Sequence, residues 1–401
     1  MKVLMLCNKI PYPEKDGGVI AINAIAEGLL SAGCEVKMLA MNTKKHFADI
    51  NTIPDKFRKE RLLELVEVDT SVKPVGALKG LFSGKSYNIS RFESEAFNQK
   101  LIQILQNGKY DIIHLEGLYL TPYLDSIRQN TDAPIILRTH NVEWQIWQKM
   151  ASEEKSGLKK WYLKKLTKQL KEYEEKVVKL VDGIAAITGQ DMEVFKIVGC
   201  KAPMVVIPFG MDLSKYNPQA TKFPNSIFYI GALDWLPNLQ GMEWFFKNVW
   251  IKIVGSFPST QFHIAGRNMP KWLRNNTYKN TVSHGEVMDA KSFMQQYDIM
   301  LVPLLAGSGV RIKILEGMAF GKPIITTSVG IEGIACDFEK DVMVADTPKQ
   351  FADAVNRCLS DDKLKQSLGN NARKFVAENY DITKTSSKLL AFYNECILKR
   401  K

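Results

Sequence analysis

The feature that most limits what this chain can become is a rhythm. Short runs of β-branched and other apolar residues alternate with longer stretches of helical periodicity, and the pattern plays through twice in 401 residues. The first set of runs is "KVLMLC", "EVKMLA", "YDIIHLE", "PIILRTH", "VDGIAAIT" and "PMVVIP". Each is continuous enough to be buried on both faces, as strands of a parallel sheet are. At 208 to 225, "PFGMDLSKYNPQATKFPN", three prolines and a glycine break all periodicity. The rhythm then restarts with "SIFYIGA", "TQFHIAG", "TVSHGE", "DIMLVPLLA", "KPIITTS" and "DVMVAD", and residues 348 to 401 read as terminal helices. The fold class is therefore α/β, with two doubly wound, Rossmann-like parallel-sheet domains. We assign 1–208 to the first, 209–225 to a linker and 226–379 to the second. Ligands of such sheets bind beyond the carboxyl ends of the strands, and a cleft between facing domains is the expected site.

Length agrees, since 401 residues exceed one ordinary core and fit two domains of roughly 150 to 200 residues. A hydrophobic content of 45% with 24% charged residues excludes a disordered chain. No apolar run of about 18 residues suggests a membrane span, and "MKVLMLCNKIPYP" reads as a first strand rather than a secretory signal. The six cysteines are scattered singly, which points to neither zinc nor a disulfide framework and makes the cytoplasm the default compartment. A net charge of +11 points to an anionic partner.

The stretch "GSGVRIKILEGMAFGKPIITT" follows a strand, so the backbone N–H groups of Gly307, Ser308, Gly309 and Val310 and of the first turn of a helix at roughly 311 to 320 converge on one spot. That is an anion site by geometry and dipole. Arg311 and Lys313 stand in the first turn, where a cation is disfavoured unless an anion neutralises it. Glu316 is placed to accept hydrogen bonds from vicinal hydroxyls such as a ribose diol. The alternative is a plain glycine turn with solvated charges.

The corresponding place in the first domain has a helix opening at Gly17 and Gly18, where a ligand can approach the backbone or where the chain merely turns. His140, Asn141 and Glu143 fall in a loop beyond a strand, on the ligand side. Arg267 and Asp234 follow second-domain strands, and Arg267 meets either a phosphate or a nearby carboxylate. Residues 155–180 form an amphipathic, lysine-rich helix with Trp161 near its boundary, suited to an acidic membrane surface or to packing on its own domain. Neither strand–loop–helix carries a full dinucleotide fingerprint, and no nucleic-acid reading module is recognisable.

"GSGVRIKILEGMAFGKPIITTSVGIEG", "VIPFGMDLSKYNP" and "HNVE" together resemble the retaining glycosyltransferases of family 4, which have the two-domain GT-B fold. The resemblance implies a nucleotide-sugar donor held by the second domain, a glycan or lipid-linked acceptor held by the first, and a last helix, about 380–401, crossing back to the first domain. By position, Glu316 would bind the nucleotide ribose and His140 the donor sugar; Gly17 and Gly18 would approach the diphosphate or sugar, with Asn141 and Glu143 on the acceptor side. Two departures stand out. Ser308 occupies the place of the first glutamate of the family's E-x7-E motif, and "GALDWLPNLQG" lacks the family's cation pair, for which Arg267, Arg311 and Lys313 are the substitutes.

The expectation is a metal-independent glycosyltransferase without a cofactor, making cell-surface polysaccharide in the cytoplasm or at the inner face of the membrane. A non-catalytic GT-B scaffold that binds a polysaccharide or a partner enzyme, and a GT-B nucleotide-sugar epimerase, are the alternatives.

Overall fold

In a computed structural model, residues 1–400 are described except 14–16, 74–75, 77–79, 81–85 and 308. The chain divides into two compact units: Met1–Met211 with Ile382–Lys401, and Asp212–Asp381. One crossing falls inside the 209–225 segment; the other falls at the start of the last helix.

The first unit is built on seven strands: β1 (Lys2–Cys7), β2 (Glu35–Thr43), β3 (Glu64–Val68), β4 (Ile112–Glu116), β5 (Ile135–Thr139), β6 (Gly183–Ala186) and β7 (Met204–Val206). Their order is β3-β2-β1-β4-β5-β6-β7, with every pairing parallel. The order reverses between β1 and β4, so the crevice for a ligand opens beyond Cys7 and Glu116. Strand β3 is absent from the sequence reading. Its "ELVEV" is a half-buried edge whose charges break the continuous apolar signal of the inner strands.

The helix Ile382–Arg400 belongs to this unit. It lies against the helix Gly17–Ser31, where Gly28 leaves room that a Cβ, 1.8 Å from Ser386 Oγ, would fill. Ile382 N–H donates to Met211 O at 2.9 Å, so the returning chain is stitched to the departing one.

The second unit holds six parallel strands: β8 (Phe223–Ile230), β9 (Phe262–Ala265), β10 (Thr281–Gly285), β11 (Tyr297–Val302), β12 (Ile324–Thr326) and β13 (Met343–Val344). The order β10-β9-β8-β11-β12-β13 reverses between β8 and β11. Its switch point therefore lies beyond Ile230 and Val302, where the glycine-rich stretch begins.

Candidate active site

In the second unit the chain leaves β11 through Gly307 and Gly309, with φ of +126° and +83°. L-residues rarely adopt such values. A Cβ at 307 would also lie 2.6 Å from Arg311 Nη2 and 3.1 Å from the Trp235 ring. Glycine here lets the loop pass beneath a guanidinium that stands over an indole, 5.5 Å from its centroid. Ser308, between the two, lies outside the described residues. Val310 is half-buried beside them.

The helix runs from Ile312 to Ala319, and Arg311 is its N-cap in an extended conformation, φ −88° and ψ 92°. The sequence reading placed Arg311 inside the first turn; the non-helical backbone puts it one step outside, at the end where unbonded N–H groups gather. Arg311 is buried, and the exposed Glu332 is the carboxylate whose field reaches it.

Lys313 follows on the first turn. Its Nζ donates to Tyr229 Oη and to Asn238 Oδ1, each at 3.2 Å, and sits 4.4 Å from the Tyr229 centroid. Burial, with the neighbouring Arg311 charge, pushes its ammonium down to about 7. One turn on, the Glu316 carboxylate accepts a hydrogen bond from Tyr216 Oη at 3.0 Å, and burial raises its pKa. A helix N-terminus, two basic side chains and a carboxylate thus stand on a single strand–loop–helix.

Asp234 and Arg267 meet each other at 3.7 Å, both half exposed, and Asn268 Nδ2 donates to Asp234 at 2.9 Å. Of the two partners open to Arg267 in the sequence, the structure displays the carboxylate. Tyr229, Asn238 and Tyr216 were not singled out from sequence. They lie up to 100 residues from the side chains they hold, and an isolated Tyr or Asn carries no local signal.

In the first unit, Gly17 and Gly18 open the first helix immediately after the undescribed residues 14–16. His140 lies beyond β5 and is tied to a buried ionic cluster that sequence reasoning missed. Glu116, fully buried at the end of β4, accepts from His140 Nε2 at 2.8 Å, from Arg138 Nη1 at 3.1 Å and from His114 Nε2 at 2.9 Å. Tyr393, brought by the returning C-terminal helix, donates to His114 Nδ1 at 2.5 Å.

Burial alone would raise Glu116, but the Arg138 guanidinium and the two imidazoles hold it well below the usual carboxylate range. An ionised Glu116 is an acceptor only, so the network assigns the Nε2–H tautomer to His140 and leaves Nδ1 unprotonated. Burial lowers the His140 pKa against the pull of Glu116, which keeps the ring neutral. Gly117, at φ +104°, turns the chain directly after Glu116, beside Asn8 and His140. The available signal was a Glu and an Arg ending the apolar runs "IIHLE" and "IILRT".

Glu143 starts the helix Glu143–Glu153 and accepts from Tyr119 Oη at 2.8 Å. The missing N-cap is supplied from the lysine-rich helix Gly157–Val177, whose Glu174 accepts from Glu143 N–H at 3.2 Å and Trp144 N–H at 3.1 Å. Burial, then the Glu143 carboxylate, push Glu174 up to about 8. Asn141 is half-buried in the same loop. Leu158 and Trp161, 79% and 58% exposed, lie near the start of the lysine-rich helix, among its exposed lysines. No described helix is long and apolar enough to cross a membrane. Among the described residues no three His, Cys, Asp or Glu side chains are grouped to hold a metal ion.

Two family models match the chain: Glycosyltransferase Family 4 over residues 15–215, and Glycosyl transferases group 1 over residues 224–361. A protein of 44.6 kDa in the cps region of Klebsiella pneumoniae, itself uncharacterized, is 22% identical over 402 residues, 97% of this chain and 98% of that one. Sucrose-phosphate synthase from Thermosynechococcus elongatus superposes with a TM-score of 0.72 at 16% identity, covering 100% of both chains. Anabaena HepE in complex with UDP superposes with a TM-score of 0.64 at 13% identity, covering 98% of this chain and 100% of that one. These likenesses show the fold: the two parallel sheets match those of GT-B glycosyltransferases.

Proposed function

Because the chain belongs to glycosyltransferase family 4, we propose that it moves a sugar, with retention of configuration, from a nucleotide-sugar donor to a hydroxyl of a glycan or lipid-linked acceptor. The observation that carries this reading is the placement of Gly307, Gly309, Arg311, Lys313 and Glu316 on one strand–loop–helix beyond the second switch point. The loop N–H groups, Arg311 and Lys313 hold the donor diphosphate, and Glu316 receives the ribose hydroxyls. That HepE was solved with UDP and with UDP-glucose supports a donor of this class.

Transfer breaks the bond between the anomeric carbon and the diphosphate oxygen and forms one to the acceptor oxygen on the same face, and the acceptor's hydroxyl proton passes to the departing diphosphate. The protein's largest contribution is to meet the charge growing on the leaving diphosphate with a preformed clamp of Arg311, Lys313 and backbone N–H groups, in place of a metal. Asp234 and Arg267, loosely paired and half exposed, belong to the donor side. Gly17 and Gly18 let the donor diphosphate or sugar approach the first helix. His140, held neutral with Nδ1 as acceptor, takes a hydrogen bond from a sugar hydroxyl, and Asn141 and Glu143 face the acceptor.

The likeness to a protein of a cps region supports a place in cell-surface polysaccharide synthesis. The lysine face of the helix Gly157–Val177, with Leu158 and Trp161, supports peripheral contact with the cytoplasmic leaflet. Proton NMR of the product anomer tests the mechanism: the donor's own configuration is expected, and an inverted product defeats it. Donor epimerised without acceptor would favour the epimerase reading.

A further inference from the structure

The helix Glu143–Glu153 begins directly beyond the turn that carries His140 and Asn141, and its own neighbourhood in sequence does not cap it. Val142 holds the N-cap position and offers no side-chain hydrogen bond. Asn141 is of a residue type that caps helices well, yet its side chain makes no hydrogen bond to any described residue. The acceptor for the first two N–H groups, those of Glu143 and Trp144, is the carboxylate of Glu174, 31 and 30 positions away.

Glu174 does not act alone. Lys171, on the same face of the lysine-rich helix, puts its Nζ 4.6 Å from the centroid of the Trp144 ring. Tyr173 Oη shares a hydrogen bond with Thr121 Oγ1 at 2.8 Å, in the turn Leu118–Tyr123 whose Tyr119 donates to Glu143. Leu170 and Val177 anchor this end of the helix in the core that holds Leu115 and Leu137. Trp144 is thus gripped at its ring and at its N–H by residues one turn apart on a helix that is itself fixed to the sheet.

A cap that serves stability alone needs only a local Ser, Thr, Asp or Asn. Glu174 is 1% exposed, and the fields of two carboxylates reach it: Glu143, from the helix it caps, and Asp191, from the helix Gly189–Ile197. Burying a carboxylate in that company is the costlier arrangement. What it leaves open is Asn141, whose side chain would be turned back onto the backbone if it capped the helix itself. Resting on the proposed transfer reaction, we infer that Glu174 is a positioning residue for it: by capping the helix Glu143–Glu153 from a distance, it fixes the turn His140–Glu143 and keeps the Asn141 side chain free for a sugar.

Two readouts on the full chain test this, in Glu174→Gln and Glu174→Ala. The first is the backbone amide signal of Trp144 in protein isotope-labelled at tryptophan, assigned by its loss in Trp144→Phe. In the intact chain this proton is expected to move downfield as pH rises through about 8, where Glu174 ionises, and Glu174→Gln is expected to shift the signal and remove the response. A Trp144 signal with the same position and pH response in Glu174→Gln overturns the inference and leaves the donor site untouched. The second readout is release of nucleoside diphosphate, with water as acceptor, from whichever of UDP-glucose, UDP-N-acetylglucosamine and GDP-mannose raises the melting temperature. Glu174→Ala is expected to lower kcat about ten- to a hundred-fold while KM changes by less than about two-fold, and Glu174→Gln, which keeps an oxygen acceptor, to recover most of the rate. An unchanged kcat in Glu174→Ala, an equal loss in both variants, or a loss confined to KM overturns the positioning role. A chain that releases no nucleotide although its Trp144 signal answers to Glu174 removes the transfer reading and leaves the hold of Glu174 on the turn standing.

Discussion

Lys313 and Glu316 carry opposite charges one turn apart, and burial moves both towards neutrality. With its pKa near 7, Lys313 is largely neutral at mildly alkaline pH until an anion arrives. A bound diphosphate favours the ammonium, so at about pH 8 nucleotide binding should take up close to one proton, and affinity should decline as pH rises above about 7. Calorimetry in buffers of different ionisation enthalpy reads this directly. Proton uptake that survives Lys313→Met would assign it to another group. Glu316 is expected to contribute about 1.5 to 3 kcal/mol to donor binding through its hydrogen bonds, so Glu316→Ala should weaken nucleotide affinity by roughly ten- to a hundred-fold. An unchanged dissociation constant would remove Glu316 from the site. At Glu116 a bland substitution is costly in another way, since it would leave the buried Arg138 without its counter-charge.

Strands β9 and β10 supply a pair that responds to pH. His263 Nδ1 and His284 Nε2 meet at 3.1 Å, and His263 stacks on Tyr297 with centroids 4.1 Å apart. Burial, then the His284 charge, push His263 down to about 4, whereas an unfolded histidine titrates near 6.5. A base with a depressed folded pKa favours the neutral form, so its contribution is intact above about pH 6.5 and is lost as pH falls through about 4. Calorimetric melting of the second unit should therefore drop over that window, and His263→Phe should flatten the slope; a slope unaltered by the substitution would point elsewhere.

The elements also explain what was legible beforehand. Inner strands such as "KVLMLC" and "DIMLVP" announce themselves because both faces are buried, while the edge strand "ELVEV" does not. The residues proposed for the donor could be singled out because Gly307, Arg311, Lys313 and Glu316 share one local motif. The grouping of Glu116, Arg138, His114 and Tyr393 could not, because a sheet order and a returning helix bring together residues 22 and 279 positions apart.

For the whole molecule, the net charge of +11 suits an anionic partner. Of the residues that carry it, Arg311 and Lys313 are the ones proposed for the donor, and the exposed lysines of the helix Gly157–Val177 the ones proposed for an acidic surface. A protein that neutralises diphosphate with its own cations should keep its transfer rate in excess chelator; a rate abolished by EDTA and restored by a divalent cation would refute the metal-independent clamp. The central claim is a nucleotide-sugar site at Gly307–Glu316, and a thermal-shift panel of nucleoside diphosphates and nucleotide sugars tests it most directly. At about a hundred times its dissociation constant, one nucleotide series should stabilise the protein by roughly 2.7 kcal/mol, and Arg311→Ala should abolish the shift. A panel flat for the intact protein, or a shift indifferent to Arg311→Ala, would contradict the claim and favour a non-catalytic scaffold.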